Sequence, residues 1–149
     1  MPKMQIPKKM LPFLQPKRYK ICIGGRGSGK SMTMGDLCLL AAQTQGIKTL
    51  CAREFQASID DSIHTLLCAE IERLELKGFE VQRNEIRYGG ETAFKYIGLA
   101  RSPESVKSYH GFSRVFVDES QTISEASLKA LTPTLRTAGS EIWMAANPR

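Results

Sequence analysis

Tyr19-Lys20-Ile21-Cys22-Ile23 runs directly into Gly24-Gly25-Arg26-Gly27-Ser28-Gly29-Lys30-Ser31, and the reading of this stretch decides the fold. The first five residues form a short apolar-rich run, read as a strand. The next eight fit the pattern G-x-x-x-x-G-K-[ST], with Gly24, Gly29, Lys30 and Ser31 on its fixed positions. Gly24, Gly25, Gly27 and Gly29 let the backbone turn so that successive N–H groups point into one concavity suited to phosphate oxygens. From Ser31 to Gln45, residues Met32, Met34, Leu37, Leu40 and Ala41 recur at helical spacing, and Gly46 supplies a stop. The helix contributes unpaired N–H groups and the positive end of its dipole. Strand, loop and helix thus fall in the order a phosphate-binding loop needs. Lys30 would reach the β- and γ-phosphates, and the Ser31 hydroxyl would ligate Mg²⁺.

Composition bounds the rest. At 149 residues and 42% hydrophobic content the chain is expected to make one domain with a real core. No apolar run approaches the roughly 20 residues that cross a bilayer. Met1–Pro16 is basic and proline-rich but lacks the apolar stretch of a signal peptide. Cys22, Cys38, Cys51 and Cys68 show no C-x-x-C spacing and sit in apolar elements. They read as buried reduced thiols of a cytosolic protein, without a disulfide frame or zinc site. The formal net charge is +6, and Met1–Lys20 holds six basic residues and no acid. A polyanionic partner such as nucleic acid fits this balance, and so does a solubilising surface with a basic arm over residues 1–17.

Further strands and helices alternate along the chain. Lys48–Ala52 reads as a second strand. Ala57 to Lys77 reads as a long helix: Ser58 and Asp61 resemble a capping box, Ile59, Ile63, Leu66, Leu67, Ile71 and Leu74 form one apolar face, and Gly78 ends it. Residues 79–97 read as short strands with turns at Asn84 and Gly89-Gly90, Phe94 to Ile97 being the strongest. Val115–Val117 is expected as a buried strand, Glu125–Leu131 as a short helix and Ile142–Ala146 as another buried strand. The pattern predicts an α/β fold, a mostly parallel sheet with helices on both faces. The chain stops three residues after its last strand, so the domain over residues 18–149 is expected to be truncated at the C-terminus.

Val115-Phe116-Val117-Asp118-Glu119 would deliver two carboxylates to the carboxyl edge of that sheet, where open α/β folds bind ligands. Asp118 can hold Mg²⁺ directly or through water, and Glu119 can accept a proton from an attacking water. The bland alternative is a solvated acidic turn. Asn147 closes the next apolar strand, where it would sense the state of a γ-phosphate or simply open an Asn-Pro turn. Arg26, inside the loop, would stabilise charge on the transferred phosphoryl group or point into solvent. Gln15 is read either as an adenine contact or as a plain polar residue of the arm.

Together these pieces resemble the large terminase subunit of tailed bacteriophages. The resemblance rests on Arg18-Tyr19-Lys20 leading into Gly24–Ser31, on Cys51-Ala52-Arg53-Glu54 with Ser58-Ile59 and Ser62, on Val117-Asp118-Glu119, and on Glu141-Ile142-Trp143 with Asn147-Pro148. It implies a P-loop NTPase fold of the RecA/ASCE-like kind and an ATPase that drives double-stranded DNA into a capsid. ATP and Mg²⁺ would be its cofactors. Under it Gly24–Ser31 become the Walker A motif, with Arg26 as a cis-acting arginine. Asp118 becomes the Walker B metal carboxylate and Glu119 the catalytic glutamate. Asn147 falls in the coupling motif, and Gln15 becomes the adenine-contacting glutamine. Lys107-Ser108-Tyr109-His110-Gly111 resembles a family segment without an assigned role. Arg53, Arg101 and Arg136 are candidates for DNA contact or for an arginine supplied to a neighbouring copy, against a surface charge. The implied partners are double-stranded DNA, the small terminase subunit, the portal and further copies of the chain assembled on it, with no membrane, in the host cytoplasm. The family's ribonuclease-H-type nuclease domain is expected to be absent from this chain. The competing readings are another RecA-type helicase or translocase, a non-hydrolysing nucleotide-binding fragment and, last, a small-molecule kinase.

Overall fold

Strands β1 (Tyr19–Ile23), β2 (Thr49–Arg53), β5 (Glu91–Gly98), β6 (Arg114–Val117) and β7 (Glu141–Ala146) run parallel, and β3 (Phe79–Val81) and β4 (Glu85–Tyr88) extend the sheet antiparallel. The order is β1-β7-β6-β2-β5-β4-β3. Helices α1 (Lys30–Gln45), α2 (Thr65–Arg73) and α3 (Glu125–Thr134) complete the α/β fold expected from the sequence. The computed structural model describes residues 4–24, 29–55, 63–100, 109, 111–135 and 138–147.

The central strands are apolar on both faces, so successive residues enter different cores. Cys51, Phe116 and Trp143 point toward α1, α2 and the N-terminal segment, where Met34, Leu39, Leu67 and Phe94 pack. Their neighbours Leu50, Ala52, Val115, Val117 and Ile142 enter the second core beneath Ala130 and Leu131 of α3. The N-terminal segment joins the first core. A 3-10 helix over Lys8–Leu14 buries Met10 and Phe13, and the Phe13 ring meets Trp143 edge-on at 5.3 Å. Cys38 and Cys51 are buried, Cys22 and Cys68 half-buried, and all four are free thiols. Among the described residues no helix is long and apolar enough to cross a membrane.

Gly46 ends α1 as expected, at φ +66°. α2 ends earlier than Gly78. Glu75 takes a left-handed backbone (φ +53°), the Leu76 N–H donates to Ile71 O and the Glu75 N–H to Glu72 O, so a Schellman turn closes the helix after Arg73. Gly78, at φ +90°, instead lets the Tyr88 ring approach; a Cβ there would lie 2.6 Å from Tyr88 Cε2. The Ser58/Asp61 capping box falls outside the described residues.

Candidate active site

The sheet order places three parallel strand ends side by side. β7 lies between β1 and β6, with Ile23 paired to Ala146 and Val117 to Met144. Gly24, Asn147 and Asp118 therefore leave the same carboxyl edge, and the Gly24 N–H is tied to Ala146 O at 3.1 Å. Neighbouring strands lie about 4.8 Å apart, so the ends of β1 and β6 are separated by only about 10 Å of sheet. Gly29 turns the chain at φ +77° and starts α1 at Lys30. Gly29, Lys30, Ser31, Asp118, Glu119 and Asn147 all line one cleft of about 380 Å³.

Lys30 is buried, and its Nζ donates to Asn147 Oδ1 at 2.6 Å. The Asn147 N–H donates to Gln121 Oε1 at 3.1 Å. Gln121 belongs to the short turn Ser120–Thr122, directly after the acids. The lysine, the β7 end and the acidic turn thus form one hydrogen-bonded chain. Glu119 occupies the left-handed region (φ +51°, ψ +46°), a strained conformation for a non-glycine residue. Its carbonyl accepts from the Thr122 N–H at 2.9 Å and the Thr122 hydroxyl at 2.7 Å, which closes the turn and leaves the side chain half-exposed.

Arg53 corrects the surface-charge and DNA-contact readings. It closes β2, next to β6, and is buried. Its Nε donates to Asp118 Oδ2 at 3.1 Å, its Nη2 pairs with the same oxygen, and Glu119 Oε1 lies 3.7 Å from Nη2. One guanidinium spans both acids. The sequence held the signal: Arg53 ends an apolar strand as Asp118 does. Glu54, the next residue, is also buried and turns toward α3, where it accepts from the Ser124 N–H at 2.7 Å and the Ser127 hydroxyl at 2.7 Å. Gln121 carries no signal in the sequence and Glu54, quoted above, no role, because only strand adjacency makes their partners visible.

The remaining candidates divide. Gly25, Arg26, Gly27, Ser28, Lys107, Ser108, His110, Arg101 and Arg136 lie outside the described residues. Gln15 is exposed and is not brought to this cleft: it precedes the start of β1, and its neighbours Leu14 and Pro16 line a separate cleft at the opposite, amino edge of the sheet.

The donors fit a magnesium–triphosphate. A buried carboxylate and a hydroxyl, Asp118 and Ser31, are the hard oxygen ligands that Mg²⁺ accepts alongside phosphate. The buried Lys30 ammonium meets a neutral amide here, a weaker partner for its charge than a phosphate oxygen.

A family model described as phage terminase large subunit matches residues 16–149. No curated protein matches the sequence. Among solved structures, the N-terminal domain of the DNA packaging ATPase from bacteriophage phi29 superposes with a TM-score of 0.74 at 20% identity, covering 96% of this chain and 78% of that one. The large terminase from a thermophilic bacteriophage gives 0.74 at 21% identity, covering 95% of this chain and 39% of that one. The same thermophilic-phage terminase in complex with ATP-gamma-S gives 0.70 at 20% identity, over 95% and 38%. The chain thus spans well under half of that large terminase.

Proposed function

Because this chain belongs to the phage terminase large subunit family, we propose that it is the ATP-hydrolysing part of a motor that moves double-stranded DNA into a procapsid. The observation that carries the reading is the convergence of Lys30, Asn147, Asp118 and Glu119 on one cleft. We assign residues 18–149 to the ATPase domain and residues 1–17 to a basic N-terminal segment.

In this reading the glycine loop and the α1 N-terminus bind the phosphates, and Lys30 moves from Asn147 to the β- and γ-phosphate oxygens. Asp118 and Ser31 would hold Mg²⁺, which supplies charge neutralisation across the phosphates. Glu119 takes the proton of the attacking water. Its Oε1 lies 3.7 Å from Arg53 Nη2, so the guanidinium stands beside the base. Arg26, by its place in the loop, stabilises the developing phosphoryl charge. Release of Asn147 by Lys30 passes the nucleotide state to β7 and, through Gln121, to the acidic turn. Double-stranded DNA, the portal, the small terminase subunit and further copies of the chain are the partners this reading implies, in the host cytoplasm. The net charge of +6 supports the first of these.

The test separates binding from turnover. Lys30→Ala should lose ATP affinity by at least about tenfold. Glu119→Gln should keep ATP affinity within about threefold while hydrolysis by the assembled, DNA-engaged motor drops about 10²- to 10⁴-fold. Fluorescent-nucleotide titration and phosphate release measure the two. Undiminished turnover by the Glu119→Gln protein would remove Glu119 from the mechanism.

A further inference from the structure

The contact between α1 and α2 buries two acids against each other. Asp36 of α1 is 1% exposed and Glu70 of α2 is 5% exposed. Both converge on one guanidinium nitrogen: Arg73 Nη2 lies 2.6 Å from Glu70 Oε2 and 3.5 Å from Asp36 Oδ2. Arg73 commits mainly to Glu70, which its Nε also meets at 3.0 and 3.2 Å, and much of its side chain stands in solvent. Asp36 Oδ1 is shut away from water without a hydrogen-bond partner among the described residues. With both carboxylates ionised, two negative charges would face one positive charge in a dry contact, with an oxygen left unpaired. A proton on Asp36 removes the surplus charge and turns the orphan carboxyl into a donor toward Glu70.

We propose that Asp36 and Glu70 share a single proton in a carboxylic acid–carboxylate bridge that clamps the Lys30-bearing helix α1 onto α2, and that loss of this proton loosens the clamp.

The electrostatics of the contact agree with the geometry. Burial first, then hydrogen bonding to Glu70 and repulsion from it, push the Asp36 carboxyl up to about 8, against the pull of Arg73. The Arg73 hydrogen bond holds Glu70 below its ordinary value, opposed by burial and aided by the bond from Asp36. Both directions draw the shared proton toward Asp36. The other titratable side chains of α1 are engaged elsewhere: Lys30 with Asn147, and Cys38 with Arg114 of β6. On α2, His64 faces Tyr96 of β5 and Cys68, while Glu72 is exposed. Glu70 and Arg73 are thus the charged groups acting on Asp36 among the described residues.

The folded pKa stands above the ordinary carboxylate value of 3.8. The native chain consequently retains a proton that the unfolded chain has lost, from that value up to about 8. The stabilising contribution is complete at the acidic end, declines as pH rises, and is exhausted above the folded pKa. The effect reaches the cleft, because Gly35 adjoins Asp36 and a Cβ on it would lie 2.8 Å from Leu66 Cδ2. Gly35, Leu66 and Leu67 all line the cleft. This last link rests on the nucleotide-binding reading; the bridge itself does not.

The experiment uses this 149-residue chain, with carbon NMR titration of the Asp36 carboxyl and thermal unfolding followed from about pH 6 to about pH 9. Asp36 should titrate several units above a free carboxylate. The unfolding temperature should fall by about 5 °C over that range in the wild type and by about 1 °C or less in Asp36→Asn, whose amide keeps the donor and has no proton to lose. ATP affinity should weaken about tenfold over the same range in the wild type alone. A second variant, Glu70→Gln, removes the acceptor charge and should bring Asp36 back toward the ordinary range. Asp36 titrating as a free carboxylate, or an unchanged high value in Glu70→Gln, would overturn the bridge. A normal bridge titration with pH-independent ATP affinity would overturn the clamp. If the titration holds but no ATP binds at any pH, the nucleotide reading fails and the bridge stands.

Discussion

Arg53 is a buried cation lying between two carboxylates of unequal burial, and the inequality decides what its loss would do. The Asp118 side chain is 12% exposed, whereas the Glu119 side chain is 44% exposed. Water can replace Arg53 around Glu119, and an ion pair so placed contributes little. Around Asp118 it cannot, and a buried charge that loses its partner costs on the order of 3–5 kcal/mol. Arg53→Ala should therefore destabilise the chain by several times more than Glu119→Gln, which should stay within about 1 kcal/mol. Arg53→Lys should fall between them, because an ammonium cannot address Asp118 and Glu119 with one rigid fork. Urea denaturation of the three variants gives the order directly. Equal losses for Arg53→Ala and Glu119→Gln would mean that the pairing is incidental to folding.

At the scale of the element, the end of β2 holds both flanks of the acidic turn. Arg53 grips the acids, and Glu54 grips the start of α3, where it accepts from the Ser124 N–H, the Ser124 hydroxyl at 3.3 Å and the Ser127 hydroxyl. Ser124 is itself the N-cap of α3, accepting from the Ser127 N–H at 3.1 Å. Glu54→Ala would leave the buried Ser127 hydroxyl with only the Ser124 hydroxyl at 3.0 Å and loosen the cap, a loss of about 1–3 kcal/mol. Hydrogen exchange should show the first turn of α3 losing protection while α1 keeps its own; uniform loss would deny the local anchor. This double grip marks where sequence reading stops. The strand before Gly24 and the helix that starts at Lys30 are legible because each depends on neighbours within a few residues. The acidic pair is legible because a strand end fixes its edge. The destination of Arg53 depends on β6 lying beside β2, 65 residues along the chain, and that of Glu54 on α3, 70 residues along. The end of α2 escaped for a local reason: Glu75 adopts a backbone usually given to glycine, so the true stop carries no glycine signal.

Across the whole molecule the two edges of the sheet differ in how they treat charge and apolar surface. At the amino edge Lys20 is paired with Glu141 at 2.8 Å, and Arg114 stacks 4.1 Å from the Trp143 ring centroid, so the cations there are spent on packing. Burial pushes Glu141 upward, but Lys20, the Trp143 N–H and Lys17 outweigh it and hold the carboxyl below its ordinary value. Lys20 lies on the covered face of β1. The alternation of the strand then places Tyr19, Ile21 and Ile23 on the other face, 49%, 57% and 68% exposed. β1 is also an outer strand, paired only with β7 in the described sheet. An apolar ladder on an unpaired edge invites a second copy to add its own strand or face, with the Arg18 guanidinium, 5.9 Å from the Tyr19 ring centroid, at one end of it. Ile21→Lys places an ammonium at the middle of the ladder, away from the glycine loop, where an exposed side chain costs the fold no more than about 0.5 kcal/mol. The substitution should leave the unfolding midpoint and nucleotide affinity unchanged and raise the monomer fraction at high concentration, as sedimentation would record. If wild type and Ile21→Lys sediment alike, the β1 face takes no part in self-association.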